Sequence, residues 1–545
     1  MLFPGKLTLA LSLALAAASA SAEAHDVALI EGLGGHGHPI STASPEAQSF
    51  FDQGLILTFA FNHAEAIRSF EKAHELDPGS PMPLWGKALA LGPNYNIDID
   101  LVREKLAWET MQQARILAAD APERERAYVE AMAVRYSDAE APDLKQLSRD
   151  YSDAMAKLSA LYPDDLDAAT LYAESLMNLR PWQLWTLDHE PAEGTLEIVA
   201  LLESVLARDP QHPGANHLYI HAVEASAHPE WALPSAQRLE KISPAAGHLV
   251  HMPSHIYLLV GDYAAAAARN EIAADVDHSY IAHGEVKGVY PMLYYHHNLH
   301  FVAAANSMLG RYDDAKDAAD RLAESVKVHA SDIPEMQGFI SEYFGPYPLF
   351  VATRFGDWEH VMASARPDGS LPLFNGFWRY ARGVSLAAKG DIEGAEAERA
   401  ELAKVAASLP DGSAYGFTPG PVILGLALDV LDARIAAGRG DRKEAIRRLE
   451  AAVAAQDKLP YNEPADWYFP VREALGAALL LDGQAAKAEQ VFRADLSKTR
   501  RNPRALFGLW QALVTPGKTV DADLVHRQFE KEWALAETEL TLEDL

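Results

Sequence analysis

The chain contains no cysteine. Thiolate zinc sites, iron–sulfur clusters, disulfides and cysteine nucleophiles are thereby excluded. Any bound metal must be held by His, Asp, Glu, Asn, Met or backbone oxygen. Basic residues are few as well: 47 Lys and Arg stand against 77 Asp and Glu, a formal net charge of -30. Phosphate binding needs a basic surface, so this balance argues against nucleic acid as a partner. It suits cationic ligands, metal ions included. Apolar runs of spanning length are missing, so no stable membrane insertion is expected. There is no Gly-rich phosphate loop ahead of a helix, no nucleophile elbow and no HExxH pair. Nucleotide-dependent chemistry and the common hydrolase triads are disfavoured accordingly.

What is present begins with an export signal. Lys6 supplies a charged start and "LTLALSLALAAASA" (Leu7 to Ala20) an apolar core. Small-residue cleavage sites follow at Ala20-Ser21-Ala22 and Ala22-Glu23-Ala24. Residues 1–24 are expected to be the signal, and the mature protein to be periplasmic or secreted. Residues 25–45 hold six glycines or prolines and three histidines, His25, His36 and His38. They are expected to form an extended arm, and a docked arm would bring His36 or His38 to the main histidine cluster. Cleavage after Ala24 would make His25 the new N-terminus, an amine and imidazole able to chelate copper.

The rest is Ala- and Leu-rich with helical periodicity and few strand signals. With 545 residues, 49% apolar and 23% charged, it is foldable but too long for one ordinary core. It also repeats. "AEAIRSFEKAHELDPGSP" (Ala64 to Pro81) is a helix, an Asp-Pro stop and a new start. "GRYDDAKDAADRLA" (Gly310 to Ala323), "GDIEGAEAERAELA" (Gly390 to Ala403) and "GQAAKAEQVFRADL" (Gly483 to Leu496) share an opening glycine before an amphipathic helix.

This pattern resembles the tetratricopeptide repeat (TPR), a helix–turn–helix unit of about 34 residues. The resemblance implies an all-α, TPR-like solenoid over residues 46–545, a right-handed superhelix of helix–turn–helix units with no extended sheet. Repeat starts are expected near Ala47, Pro213, Gly247, His296, Gly376, Leu426 and Phe469, with residues 92–160 and 327–375 fitting poorly. "FNHAEA", "WGKALALGPNYN", "NHLYIHAVEAS" and "YNEPADWYFPVRE" are similar to phrases of a group of exported bacterial TPR proteins. That likeness implies architecture and export, and no activity.

Of 21 histidines, 12 lie between His212 and His300. Their register matters more than their number. His217 to His251 and His221 to His255 are each one 34-residue repeat apart. His248 and His251 hold the second and fifth positions of one unit, and His297 and His300 hold those of the next. In TPR proteins such positions line the concave face. The resemblance therefore points His217, His221, His248, His251, His255, His297 and His300 into one groove, with His251 central. Side chains four apart on a helix are about 5–6 Å apart at Cβ, and packed helices lie roughly 8–10 Å apart. A His pair from one helix and one or two from the next can close a metal site for copper, zinc, iron or nickel. Asn216, Glu224 and Asn298 are near enough in sequence to orient those ligands or add to them. Pro253 breaks the helix between His251 and His255.

Two further stretches are candidate ligand contacts. "LGPNYN" offers Asn94 and Asn96 on a Gly-Pro break, and "YNEPADWYFPVRE" offers Glu463, Trp467 and Arg472. The bland alternatives are a helix stop and an aromatic packing plug. His63, at an inter-helix turn, is expected to be structural. Two functions follow: an exported metal-binding solenoid, possible as a metal-dependent hydrolase or oxidoreductase, or a non-catalytic scaffold. The occupant of the groove is a small molecule or peptide in the first case and a peptide or partner protein in the second.

Overall fold

The computed structural model describes residues 27–284, 286–514 and 518–545. The expected signal and His25 lie outside the described residues. The described chain is almost wholly helical. Its only strands among the described residues are the two-residue pair Ala414–Tyr415 and Thr418–Pro419. No described helix is long and apolar enough to cross a membrane.

The helices fall into hairpins that begin where the repeat register puts them. Observed starts at Pro45, Pro213, Gly247, His296, Pro372, Gly420 and Val471 lie within six residues of the expected ones. Residues 92–160, which carry little of the repeat pattern, nevertheless form helices Leu101–Ala118, Glu123–Ala133 and Leu144–Leu161. Burial of apolar faces, not consensus residues, holds them.

One packing device recurs. Phe70 drives between two first helices at Gly54 and Gly86, where an added Cβ would lie 2.7 and 2.4 Å from its ring. Phe492 does the same at Gly476 and Gly508, at 2.3 and 2.1 Å. Both triplets step by 16 residues (54, 70, 86 and 476, 492, 508). Glycine normally weakens a helix interior. Here it is what lets neighbouring hairpins close on an aromatic ring.

The chain divides into two compact units. One comprises residues up to Ile256 with Ile272–Tyr294; the other comprises Tyr257–Glu271 with Tyr295–Leu545. In the first unit the arm is docked: the Ala245 amide donates to the Gly32 carbonyl at 3.0 Å. Gly34 lies so close to the Ile242 carbonyl that a Cβ would sit 2.4 Å away, and its φ is +98°. Only glycine meets both conditions.

In the second unit Arg354 is buried against Glu473, at 2.6 and 3.1 Å, and Asn502 donates to both Glu473 and Asp495. Burial and the neighbouring Glu473 push the Asp495 carboxyl up to about 8.

Candidate metal centre

Five of the predicted histidines and one predicted carboxylate meet in the first unit. His217 and His221 stand on the Pro213–Val223 helix, with Glu224 as its C-terminal flank. His248 and His251 stand on the short Gly247–His251 helix. Proline lacks an N–H and clashes with the preceding turn. A new helix, Pro253–Val260, therefore starts after Met252 and carries His255. That break turns His251 and His255 towards each other, their Nε2 atoms 2.7 Å apart. All six side chains are 3% exposed or less.

Hydrogen bonding sets the tautomers. The Nδ1 of His217 lies 2.6 Å from the Phe59 carbonyl oxygen. A carbonyl only accepts, so Nδ1 carries the proton and donates it. Phe59 ends its helix, where the last carbonyls have no partner within the helix. Glu224 accepts from two rings at once, from His221 Nδ1 at 2.9 Å and from His255 Nδ1 at 2.8 Å. Those three rings therefore present Nε2 lone pairs inward. The His221 Nε2 is buried with no hydrogen-bond partner. The His217 and His248 Nε2 atoms face each other at 3.2 Å. His217, His221 and His248 each offer a nitrogen within 4.8 Å of the others.

Electrostatics favour neutral His217 and His248 rings beside one anion. Burial, then the neighbouring His221, holds His217 well below the ordinary histidine value; burial and His217 do the same to His248. Burial works against the Glu224 carboxylate, but His221 and His255 outweigh it and bring it down to about 2. Glu224 thus orients two imidazoles through their outer nitrogens, the arrangement that raises ligand basicity in histidine metal sites.

Aromatic rings enclose the group. Phe61 lies 4.5 Å from His217, 5.3 Å from His248 and 6.1 Å from His221 between ring centroids. Tyr95 is 5.1 Å from His221, Trp182 is 6.0 Å from His221, and Tyr294 is 4.7 Å from His248. Phe61 and Trp182 have φ of 55° and 60°, a region bulky residues rarely occupy. Phe61 sits at the end of the Pro45–Phe59 helix. There its amide bonds the Thr58 carbonyl and the Asn62 amide bonds the Leu57 carbonyl. That is the Schellman pattern, in which glycine usually takes the left-handed position.

Other predicted residues make contacts of their own within each unit. Asn216 turns back onto the Pro210 and His212 carbonyls. Asn94 accepts from the Asn96 and Ile97 amides, so it shapes its loop, and its Nδ2 meets His63 Nε2 at 3.1 Å. His63 Nδ1 donates to the Ala90 carbonyl. The "GPNYN" loop reaches the centre through Tyr95, not through Asn94, and Asn96 is half-buried in the loop. His297, Asn298 and His300 belong to the second unit. There His297 packs on Phe301, Asn298 is buried, and His300 is walled by Tyr343, Phe344 and Tyr347. Burial brings His300 down to about 3. Trp467 is buried against Tyr380, Glu463 pairs with Tyr461, and Arg472 forms an ion pair with Asp457. "YNEPADWYFPVRE" is thus built as an aromatic plug of the second unit.

His36 and His38 go to a different partner from the one expected. Both meet Asp167 at 2.9 Å, as does His212 at 3.1 Å. The reason is charge: Asp167 is a buried carboxylate and needs donors. The His212 Nδ1 accepts from the Ala215 amide, so its proton is on Nε2 and points at Asp167. A ring whose two nitrogens are both committed in that sense has no lone pair for a metal. This second cluster is a hydrogen-bonded latch on the arm.

The sequence does not single out Asp167, more than 120 residues from the arm, or Trp182 and Tyr294. Phe61 and Tyr95 lay inside the quoted "FNHAEA" and "GPNYN" phrases, but no spacing marked them. No family model and no curated protein matches the chain. Among solved structures it is similar to yeast Tom70 at 12% identity over 88% of this chain and 98% of that one, TM-score 0.29. It is also similar to Ypp1 at 10% identity over 92% and 78%, TM-score 0.45. A third is the P58(IPK) TPR domain, at 12% identity over 87% and 99%, TM-score 0.22. The chain's own helix hairpins make it a TPR-like helical-repeat protein.

Proposed function

We propose that the first unit holds one transition-metal ion on the Nε2 atoms of His217, His221 and His248. The carrying observation is the tautomer pattern. The Nδ1 atoms of His217 and His221 are committed to a carbonyl and a carboxylate, and the His221 Nε2 is a buried lone pair without a partner. A buried polar atom left unpaired is costly, and an ion removes that cost. Imidazole nitrogens suit zinc, copper, iron and nickel. The two His217 and His248 nitrogens, at 3.2 Å, stand close to the roughly 3.3–3.4 Å edge of a tetrahedron with bonds of about 2.0–2.1 Å. The His251–His255 pair, at 2.7 Å, fits a hydrogen bond better.

We further propose that the chain is exported by its first 24 residues and works in the periplasm or outside the cell. The test is the metal content of the untagged protein after purification from its native compartment, with zinc and cobalt titrations of chelator-treated protein. One tightly held ion per chain is expected. No bound ion, and no uptake of zinc, copper, iron or nickel, would return the chain to a non-catalytic scaffold that binds a peptide or partner.

A further inference from the structure

We infer that Phe61 gates an open coordination position on the His217–His221–His248 centre, and that this position takes an exogenous ligand of one to three heavy atoms. The inference rests on the metal reading above. Three protein nitrogens leave a tetrahedral ion one position short. Closed structural sites use four protein ligands, whereas sites that react keep the fourth for water or substrate. Glu224 does not fill it, since it meets His221 at Nδ1, on the side of the ring away from the Nε2 that faces the ion. His255 does not fill it either, since its Nε2 is occupied by His251.

Phe61 touches all three rings of the centre and also lines a small cavity of about 40 Å³, together with Asn62, Asn94, Tyr290 and Tyr294. A water needs roughly 10–15 Å³ of such space, so the cavity admits about one to three heavy atoms. Asn62 and Tyr290 also line a larger cavity of about 580 Å³, bounded by Leu57, Gly247 and Tyr280. The two share walls, and Phe61 stands between the smaller one and the histidines. Its backbone adds a second, independent sign. Every Schellman-type end is easier with glycine, and Gly310 and Gly356 take that left-handed position elsewhere in the chain. A left-handed phenylalanine carries a strain of the kind that persists where the ring is needed.

The same strain makes the test clean, because Phe61→Gly relieves the backbone and removes the ring together. Wild type and Phe61→Gly are loaded with cobalt(II), and the visible d–d bands are followed while azide, then imidazole, is added. Azide, with three heavy atoms, is expected to shift the wild-type bands. Imidazole, with five, is expected to bind Phe61→Gly at least about tenfold more tightly than wild type. Phe61→Leu, whose side chain keeps bulk, should fall between them, and it carries the test if the glycine variant melts early. Azide leaving both spectra unchanged, or imidazole binding both alike, overturns the gate while the metal reading stands. Absence of any cobalt spectrum overturns the metal reading itself.

Discussion

The Nε2 atoms of His217 and His248 face each other at 3.2 Å across a sealed interior. Two bare lone pairs repel at that separation, so either a proton or a cation lies between them. His217 has already given its proton to the Phe59 carbonyl. His248 then supplies an Nε2 proton in the ion-free state and shifts it to its outer nitrogen when an ion binds. The centre is thus set up by a helix C-terminus on one side and by Glu224 on the other.

Removal of the Glu224 carboxylate should weaken the ion without unfolding the chain. Glu224→Gln keeps the shape but turns an NH2 towards one of two Nδ1–H groups, so His221 or His255 must change tautomer. Loss of an outer orienting carboxylate typically lowers metal affinity by about 10–100-fold. Zinc affinity by competition with a chromophoric chelator measures this. His228, half exposed beside Glu230 and Trp231, is the control, and His228→Ala should leave affinity unchanged. Equal losses in both variants would show that the effect is not specific to the centre.

The arm latch should loosen in alkali. Burial opposes protonation of His36 and His38, but the hydrogen bonds and charge of Asp167 prevail and raise both above 6.5. A raised histidine contributes stability that is complete below 6.5 and lost as pH climbs through the folded value. Burial also opposes the Asp167 carboxylate, but His212, His36 and His38 hold it well below 3.8. Its contribution is present above 3.8 and lost only as pH falls through that lower value. Arm docking is therefore strongest between these limits. Limited proteolysis should nick the arm faster at about pH 8.5 than at about pH 5.5. Asp167→Asn should abolish the difference; a rate independent of pH in wild type would contradict the latch.

The glycine that admits Phe492 should not tolerate a methyl group. Replacing a helical glycine by alanine gains about 1 kcal/mol in propensity. At Gly508, however, the new Cβ would stand 2.1 Å from the Phe492 ring. Overpacking of this kind costs roughly 1–3 kcal/mol. Gly508→Ala should thus be destabilising overall in chemical denaturation, and combining it with Phe492→Leu should recover part of the loss. A more stable single variant would mean that the ring has room to move.

The second unit should gain alkaline tolerance from Asp495→Asn. Burial and Glu473 raise the Asp495 carboxyl to about 8, so the folded chain keeps a proton that the unfolded chain releases near 3.8. Stability falls as pH rises through that window. An asparagine still accepts from Asn502 and has no proton to lose. The drop in melting temperature between about pH 5 and about pH 9 should shrink in the variant. An unchanged drop would place the alkaline sensitivity elsewhere.

The repeat register made the hairpin starts readable, because an amphipathic helix repeats its apolar face at a fixed period and a glycine or Asp-Pro marks each end. The same register showed that His217 and His251, and His221 and His255, are equivalent positions. Local spacing also placed Glu224 beside His221, three residues on along the same turn. Which nitrogen each ring turns inward was not readable. That depends on the Phe59 carbonyl, 158 residues from His217, and on Glu224 reaching His255 in the next repeat of the same unit. Nor was it readable that His36 and His38 would serve Asp167. A buried carboxylate draws whatever donors the fold brings within about 3 Å, and which those are is decided by packing. Helix periodicity is local and survives in the sequence. Proton placement and ring enclosure are set by contacts between distant segments, and only the tertiary structure decides them.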